Sequence, residues 1–226
     1  MPIATLINAL AIILGSIAGV LLGRHFPDRV RSIVYQGLGL CVLIIGVDMA
    51  LQYGKIILVV FSVLMGGLTG ELLRLDQKLT GFGRWLKAKI NSKDAGFTDG
   101  FVTASLIFCI GSMAILGSID EGIRSERTIL LTKSILDGFI SIPLASTYGV
   151  GVMFSALPVL LYQGSITIAA SQSQAFFTPE IISQITSVGG LLIMGIGLTL
   201  LEVKKVNVTN LLPSLVYAVL LTMIFG

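Results

Sequence analysis

Charge is scarce in this sequence. Only 12% of its 226 residues are Asp, Glu, Lys or Arg, and 54% are hydrophobic. A soluble domain carries about 25% charge. With a mean hydropathy of +0.96, the chain is excluded from the soluble globular class and reads as an integral membrane protein. The period-two alternation of a transmembrane barrel is missing as well. The apolar stretches are instead continuous runs of about 20 residues, the length of a membrane-crossing helix. Histidine occurs once, as His25, and cysteine twice, as Cys41 and Cys109. Both cysteines lie in apolar runs and read as buried thiols without a disulfide or metal role. No His, Cys or carboxylate cluster has metal-ligand spacing. Phosphate loops, dinucleotide fingerprints and nucleophile motifs are absent too. The expectation is therefore a protein that is not an enzyme and has no cofactor or metal. The net charge of +3 resides in loop lysines and arginines and needs no nucleic acid to explain it.

What is present is a series of eight apolar runs, at 4–23, 31–51, 55–74, 98–118, 129–147, 150–170, 186–202 and 208–225. They predict an all-α, polytopic membrane helix bundle forming a single transmembrane domain over 1–226. The first run has no basic residue before it, unlike a cleaved signal peptide, and reads as an uncleaved span. With the N-terminus outside, the inner loops carry Arg24, Arg29, Arg31, then Arg74, Lys78, Arg84, Lys87, Lys89 and Lys93, then Lys204 and Lys205. The outer loops carry only Lys55, Arg124 and Arg127. The positive-inside rule thus favours both termini outside. A six-span arrangement, with runs five and six as a re-entrant hairpin, gives the same orientation.

Two loop segments are amphipathic. "DQKLTGFGRWLKAKI" (76–90) sets Leu79, Phe82, Leu86 and Ile90 at helical spacing, with Lys78, Arg84 and Lys87 off that stripe. It predicts a basic helix on the inner membrane surface, with Trp85 at headgroup level. "FFTPEIISQI" (176–185) predicts a short outer-surface helix, N-capped by Thr178 with Pro179 at its first position. Gly15, Gly19 and Gly23 recur every four residues, as do Gly66 and Gly70. Small residues at this spacing let helices approach closely in lipid.

Two local matches suggest an inverted repeat, the plan of many transporters. "GSIA" (15–18) resembles "GSMA" (111–114), and "GLCVLIIGV" (39–47) resembles "GLLIMGIGL" (190–198). In the predicted topology each match relates antiparallel helices. The repeat halves would be 1–75 and 98–226, the second with a hairpin inserted near 129–170. Short glycine-rich and aliphatic matches also arise by chance between apolar helices.

One run does not fit its surroundings. "LLTKSILDGFISIP" (130–143) places Lys133, Asp137 and Ser141 four apart, along one helix face. Leu130, Ile135, Leu136, Phe139 and Ile142 lie on the opposite side. Each charge at a bilayer centre costs roughly 2.5–3.5 kcal/mol, so the charged face must meet protein or water. The pair either neutralises itself as a structural ion pair or lines a solute or ion pathway. Gly138 and Pro143 would permit local unwinding there. "CIGSMAILGSIDEG" (109–122), with its two Gly-Ser pairs, reads as a broken helix offering Ser112 and Ser118, with Asp120 and Glu121 at its outer end. "LPVLLYQGSIT" (157–167) is a second candidate break and offers Gln163. Asp48 reads as an interface carboxylate, a further candidate ligand. Asn8 and Asn210 read as interhelical hydrogen-bonders.

The segments "FCIGSMAILGSIDEGI", "TKSILDGF", "STYGVGVMFSALPVLLYQGSIT", "VGGLLIMGIGL" and "NLLPSLVYA" together resemble a family of bacterial membrane proteins typified by YqgA and YdfK, which carries a domain-of-unknown-function name. The resemblance implies a bacterial cytoplasmic (inner) membrane and carries no substrate. The leading expectation is a secondary transporter of a small polar or ionic solute, coupled to H⁺ or Na⁺ and forming a homodimer. Its binding candidates are Asp137, Lys133, Ser112, Ser118, Gln163, Ser141 and Asp48. A channel or passive pore would use the same polar stripe, and a non-transport scaffold or accessory subunit would use the glycine faces instead.

Overall fold

The computed structural model describes residues 2–23, 28–110, 112–170 and 178–225, and the described residues contain helices and no strands. In chain order these are α1 (Ile3–Gly23), α2 (Asp28–Ala50), α3 (Ile56–Leu73), α4 (Leu75–Lys89), α5 (Phe97–Cys109), α6 (Ser112–Arg124) and α7 (Thr128–Tyr148). A 3-10 segment, Gly149–Ser155, leads into α8 (Ala156–Ala170), followed by α9 (Pro179–Leu200), α10 (Val208–Leu211) and α11 (Pro213–Phe225).

Five helical stretches are long and apolar enough to cross a membrane: Ile3–Gly23, Ile56–Leu73, Thr128–Ala170, Pro179–Leu200 and Val208–Phe225. A sixth is the pair Phe97–Cys109 and Met113–Arg124 if it counts as one crossing bent by 73°. The eight expected runs do not all meet this criterion, for two reasons. The second is represented by the shorter apolar helix Gly39–Ala50. The fifth and sixth merge into one 43-residue helical stretch.

That stretch is folded back on itself. Asp137 and Gln163 would stand about 39 Å apart on a straight helix rising 1.5 Å per residue, yet the Asn8 side chain bonds both. The reversal lies in the 3-10 segment, where Gly149 has φ +78° and the Asp94 carboxylate accepts the Val150 N–H at 2.9 Å. Only glycine adopts that backbone readily. A Cβ there would also run into Asp94.

The chain forms two compact units. The first contains α1, α5, α7, α8 and α6 from Met113 onward. Here α1 and α7 run parallel in near backbone contact. Gly15 lies on Gly138, Gly19 on Ile142 and Gly23 on Ser146, and a Cβ at any of the three would overlap the facing backbone. The opposite faces are apolar and exposed: Leu6, Leu10, Leu14, Ile17 and Leu21 on α1, and Ile135, Leu136 and Phe139 on α7. Leu130 departs from the expected lipid face. It is fully buried against Gly117 of α6.

The second unit contains α2 from Leu38 onward, α3, α9, α10 and α11. Helices α2 and α9 pack antiparallel, Gly46 against Gly190 and Met194, and Gly197 against Leu43. Helices α3 and α10–α11 do the same, Gly66 against Ser214 and Gly70 against Asn210. Asn210 then ties helix ends together, donating to Glu71 Oε2 at 2.7 Å and accepting the Asp76 N–H at 2.8 Å. It is an interhelical hydrogen-bonder, as expected.

Other local expectations meet mixed outcomes. The basic helix forms as α4, burying Gly83 and Leu86 while Phe82 and Trp85 stack at 5.5 Å and remain exposed. Thr178 caps α9 by accepting the Ile181 N–H at 3.3 Å, with Pro179 in the first turn. The predicted short surface helix is not separate, however. The 3.6-residue pattern continues without a breaker into the next run, giving one 22-residue helix. Thr178→Ala should lower stability by about 1 kcal/mol through loss of this cap, a small downward shift on a thermal-unfolding curve. Nor does α7 unwind at Gly138 or Pro143; it is helical throughout 128–148. The missing Cβ of Gly138 serves the contact with α1, and the Ser146 and Thr147 hydroxyls both donate to the Pro143 carbonyl. Helix α8 is likewise unbroken at Tyr162–Ser165, since the chain reverses upstream of it. Helix α5 ends at Cys109 and α6 begins at Ser112, with Gly111 of the first Gly-Ser pair outside the described residues, while Gly117 is an ordinary helical position facing Leu130.

Candidate functional site

The site is built on three helices of the first unit. Helix α7 presents Lys133 and Asp137 one turn apart, at 6% and 5% exposure, with the ammonium on Asp137 Oδ2. The same carboxylate oxygen accepts from Asn8 Nδ2 of α1 at 3.0 Å. Asn8 Nδ2 also reaches Gln163 Oε1 of α8 at 3.3 Å. The charges are thus paired and further bonded, which burial of ions requires. The glycine contacts of α1 with α7 set this geometry, because they bring Asn8 within reach of a side chain on the neighbouring helix.

The network is not closed. Asn8 turns its amide nitrogen to the carboxylate, leaving Oδ1 without a hydrogen-bond partner. Gln163 accepts through Oε1, leaving Nε2 without one. Both residues are 0% exposed. One free acceptor and one free donor therefore face the buried interior beside a neutralised charge pair. Native cores satisfy the large majority of such groups, and each exception calls for an explanation. Around the pair, Lys133 Nζ lies 6.0 Å from the Phe108 ring centre, and Cys109 of α5 is within electrostatic reach of both charges.

The sequence candidates divide accordingly. Lys133, Asp137 and Gln163 meet, joined by Asn8. Ser141 is buried, but its hydroxyl donates to the Asp137 backbone carbonyl rather than to the carboxylate. Ser118 of α6 is fully buried, and its hydroxyl is without a partner. Ser112 opens α6, and its side chain lies outside the described residues. Asp48 belongs to the second unit, is exposed, and accepts from Gln52 Nε2 at 3.4 Å. The sequence undervalued two residues. Asn8 is the hub, and its signal was a lone amide in an otherwise apolar run. Glu121 is only 5% exposed, accepting the Ala4 N–H at 2.9 Å and the Arg127 Nε–H at 3.2 Å. Nearby Glu126 sits in the connector, where the Thr128 hydroxyl and amide bond its carboxylate and hold its pKa below the usual value. Among the described residues no group of three His, Cys, Asp or Glu could ligate a metal.

Comparison with known proteins agrees with this picture of a membrane protein. The sequence profile of the family described as "Protein of unknown function (DUF554)" matches residues 3–223. The chain is 36% identical over 215 residues to "Uncharacterized membrane protein YdfK" of Bacillus subtilis (strain 168), covering 93% of this chain and 91% of that protein. It is 30% identical over 225 residues to "Uncharacterized protein YqgA" of Escherichia coli (strain K12), covering 96% and 95% respectively. No solved structure matches.

Proposed function

This chain belongs to the DUF554 family, and we propose that it is a secondary transporter of a small polar or ionic solute, coupled to H⁺ or Na⁺. The observation that carries this reading is the Lys133–Asp137 pair with Asn8 and Gln163, buried among apolar helices and left with a free donor and a free acceptor. Intramembrane charges are rare and expensive, and an ionisable residue inside the membrane marks a candidate ion or substrate path. In this reading Asp137 binds the coupling ion and Lys133 is its counter-charge. Asn8 and Gln163 offer neutral ligand groups.

An inverted repeat supports the same role. The matched segments 39–47 and 190–198 lie on α2 and α9, which pack antiparallel. At the offset of the match, Gly39 corresponds to Gly190, Gly46 to Gly197, Leu43 to Met194 and Ala50 to Leu201. The contacts exchange under this correspondence: Gly46 meets Met194 and Gly197 meets Leu43, while Gly39 meets Leu201 and Gly190 meets Ala50. Geometry alone makes any antiparallel pair two-fold related. Glycine at both corresponding positions is what the repeat adds. The charge bias favours both termini outside, the family resemblance favours a bacterial inner membrane, and the small chain suits a homodimer. Catalysis is no part of this role.

The test is flux. Proteoliposomes are given a mixture of amino acids, organic acids and polyamines under an imposed pH or Na⁺ gradient, and retained solutes are read by mass spectrometry. The expected result is gradient-driven, saturable accumulation of one solute class that Asp137→Asn abolishes. Single-channel currents in its place would favour a pore.

A further inference from the structure

We infer that the first unit contains a hydrated polar file leading from the end of the bundle at the α1 N-terminus to the Lys133–Asp137 pair, with water and the proton as its ligands. The inference rests on the transport reading for its purpose, and on helix register for its existence.

At that end three helices meet around Glu121. Its carboxylate holds the Ala4 N–H of α1 and is itself reached by Arg127, whose side chain is 41% exposed. The next residue of α6, Gly122, lies against Thr167 of α8. One helical turn deeper, the register fixes which residues share a layer. On α1 it is Asn8, four after Ala4. On α8 it is Gln163, four before Thr167. On α6 it is Ser118, three before Glu121 and four before Gly122, and so directly beneath both. Asn8 and Gln163 are hydrogen-bonded to each other, which confirms the layer. Asn8 then touches Asp137.

Every step of this descent holds a buried polar atom without a protein partner: Glu121 Oε2, Thr5 Oγ1 on α1, Ser118 Oγ, Asn8 Oδ1 and Gln163 Nε2. Thr5, Ser118, Asn8 and Gln163 are each 0% exposed. A single orphan is an exception in a well-packed interior. Five within about two helical turns, from the Glu121 carboxylate down to the Asn8–Gln163 layer beside the ion pair, are the kind of buried polar groups that bridging waters satisfy, each water taking two to four polar partners. The charged and titratable groups along the file are Glu121, Arg127 and the Asp120–Arg124 pair at its mouth, and Lys133 and Cys109 near Asp137, with Tyr162 beyond Cys109. Such a file gives a proton a route to the Asp137 carboxylate.

The test is thiol accessibility in a Cys41→Ser, Cys109→Ser background reconstituted in liposomes, with a membrane-impermeant quaternary-ammonium methanethiosulfonate as the probe. Ser118→Cys and Thr5→Cys are compared with Leu10→Cys, whose parent side chain is 54% exposed on the outer face of α1. Only an ionised thiolate reacts, so a hydrated position should be modified about 100-fold faster than one in hydrocarbon. Fast labelling of Ser118→Cys and Thr5→Cys is the expected result. Rates no greater than that of Leu10→Cys at both positions would overturn the inference, and two sites guard against one variant misfolding. The outcomes separate from the transport reading: slow labelling with solute flux still lost in Asp137→Asn refutes the file alone.

Discussion

Lys133→Met should lower stability by about 3–5 kcal/mol, and adding Asp137→Leu should restore most of it. The single variant leaves a carboxylate at 5% exposure with only Asn8 as partner. Removing one member of a buried pair uncovers the desolvation penalty of the other, whereas replacing both removes the penalty along with the attraction. Thermal unfolding of the two single variants and the double variant in one detergent gives the coupling directly. The same set separates two readings of the pair. A purely structural pair predicts that the double variant keeps whatever flux the protein supports. A transport site predicts a folded double variant without flux.

The second large effect is expected on the α1–α7 face. Gly19→Leu should destabilise by at least the roughly 1–3 kcal/mol typical of overpacking, because a Cβ at that position already overlaps the Ile142 carbonyl. Side-chain repacking cannot relieve a clash with backbone. Separating the helices would also pull Asn8 from Asp137, so ligand binding should fall with stability. Gly164→Ala is the control. No atom lies within 4 Å of a Cβ there, and alanine favours the helix by about 1 kcal/mol over glycine. A melting temperature that drops for Gly19→Leu and holds or rises for Gly164→Ala is the predicted contrast.

Much of this was legible in the sequence because it depends on local rules. Continuous apolar runs require helices, the four-residue glycine spacing announces a close helix contact, and Thr178-Pro179 marks a helix start. The Lys133–Asp137 spacing alone puts both charges on one face. What the sequence hid was tertiary. The glycines of α1 could have faced any helix, and only the fold shows them meeting α7. Asn8 could not be recognised as the hub because its partners lie 129 and 155 residues away. Gly138 and Pro143 resembled a breaking point, but packing overrode propensity. The actual reversal needed Gly149 beside Asp94, a contact between two residues outside the apolar runs and far apart in sequence. Asp48, read as an interface carboxylate, is exposed, whereas Asp137 is buried.

The central claim, that the Asn8–Asp137–Lys133–Gln163 network is a ligand site, is tested most directly by thermal stabilisation. Purified protein in detergent is screened against ions, amino acids, organic acids and polyamines beside Asp137→Asn, since a ligand that binds the folded state raises the melting temperature by mass action. The account predicts at least one compound class that stabilises the wild-type protein and leaves the folded Asp137→Asn variant unmoved. Equal stabilisation of both proteins by every active compound would contradict it.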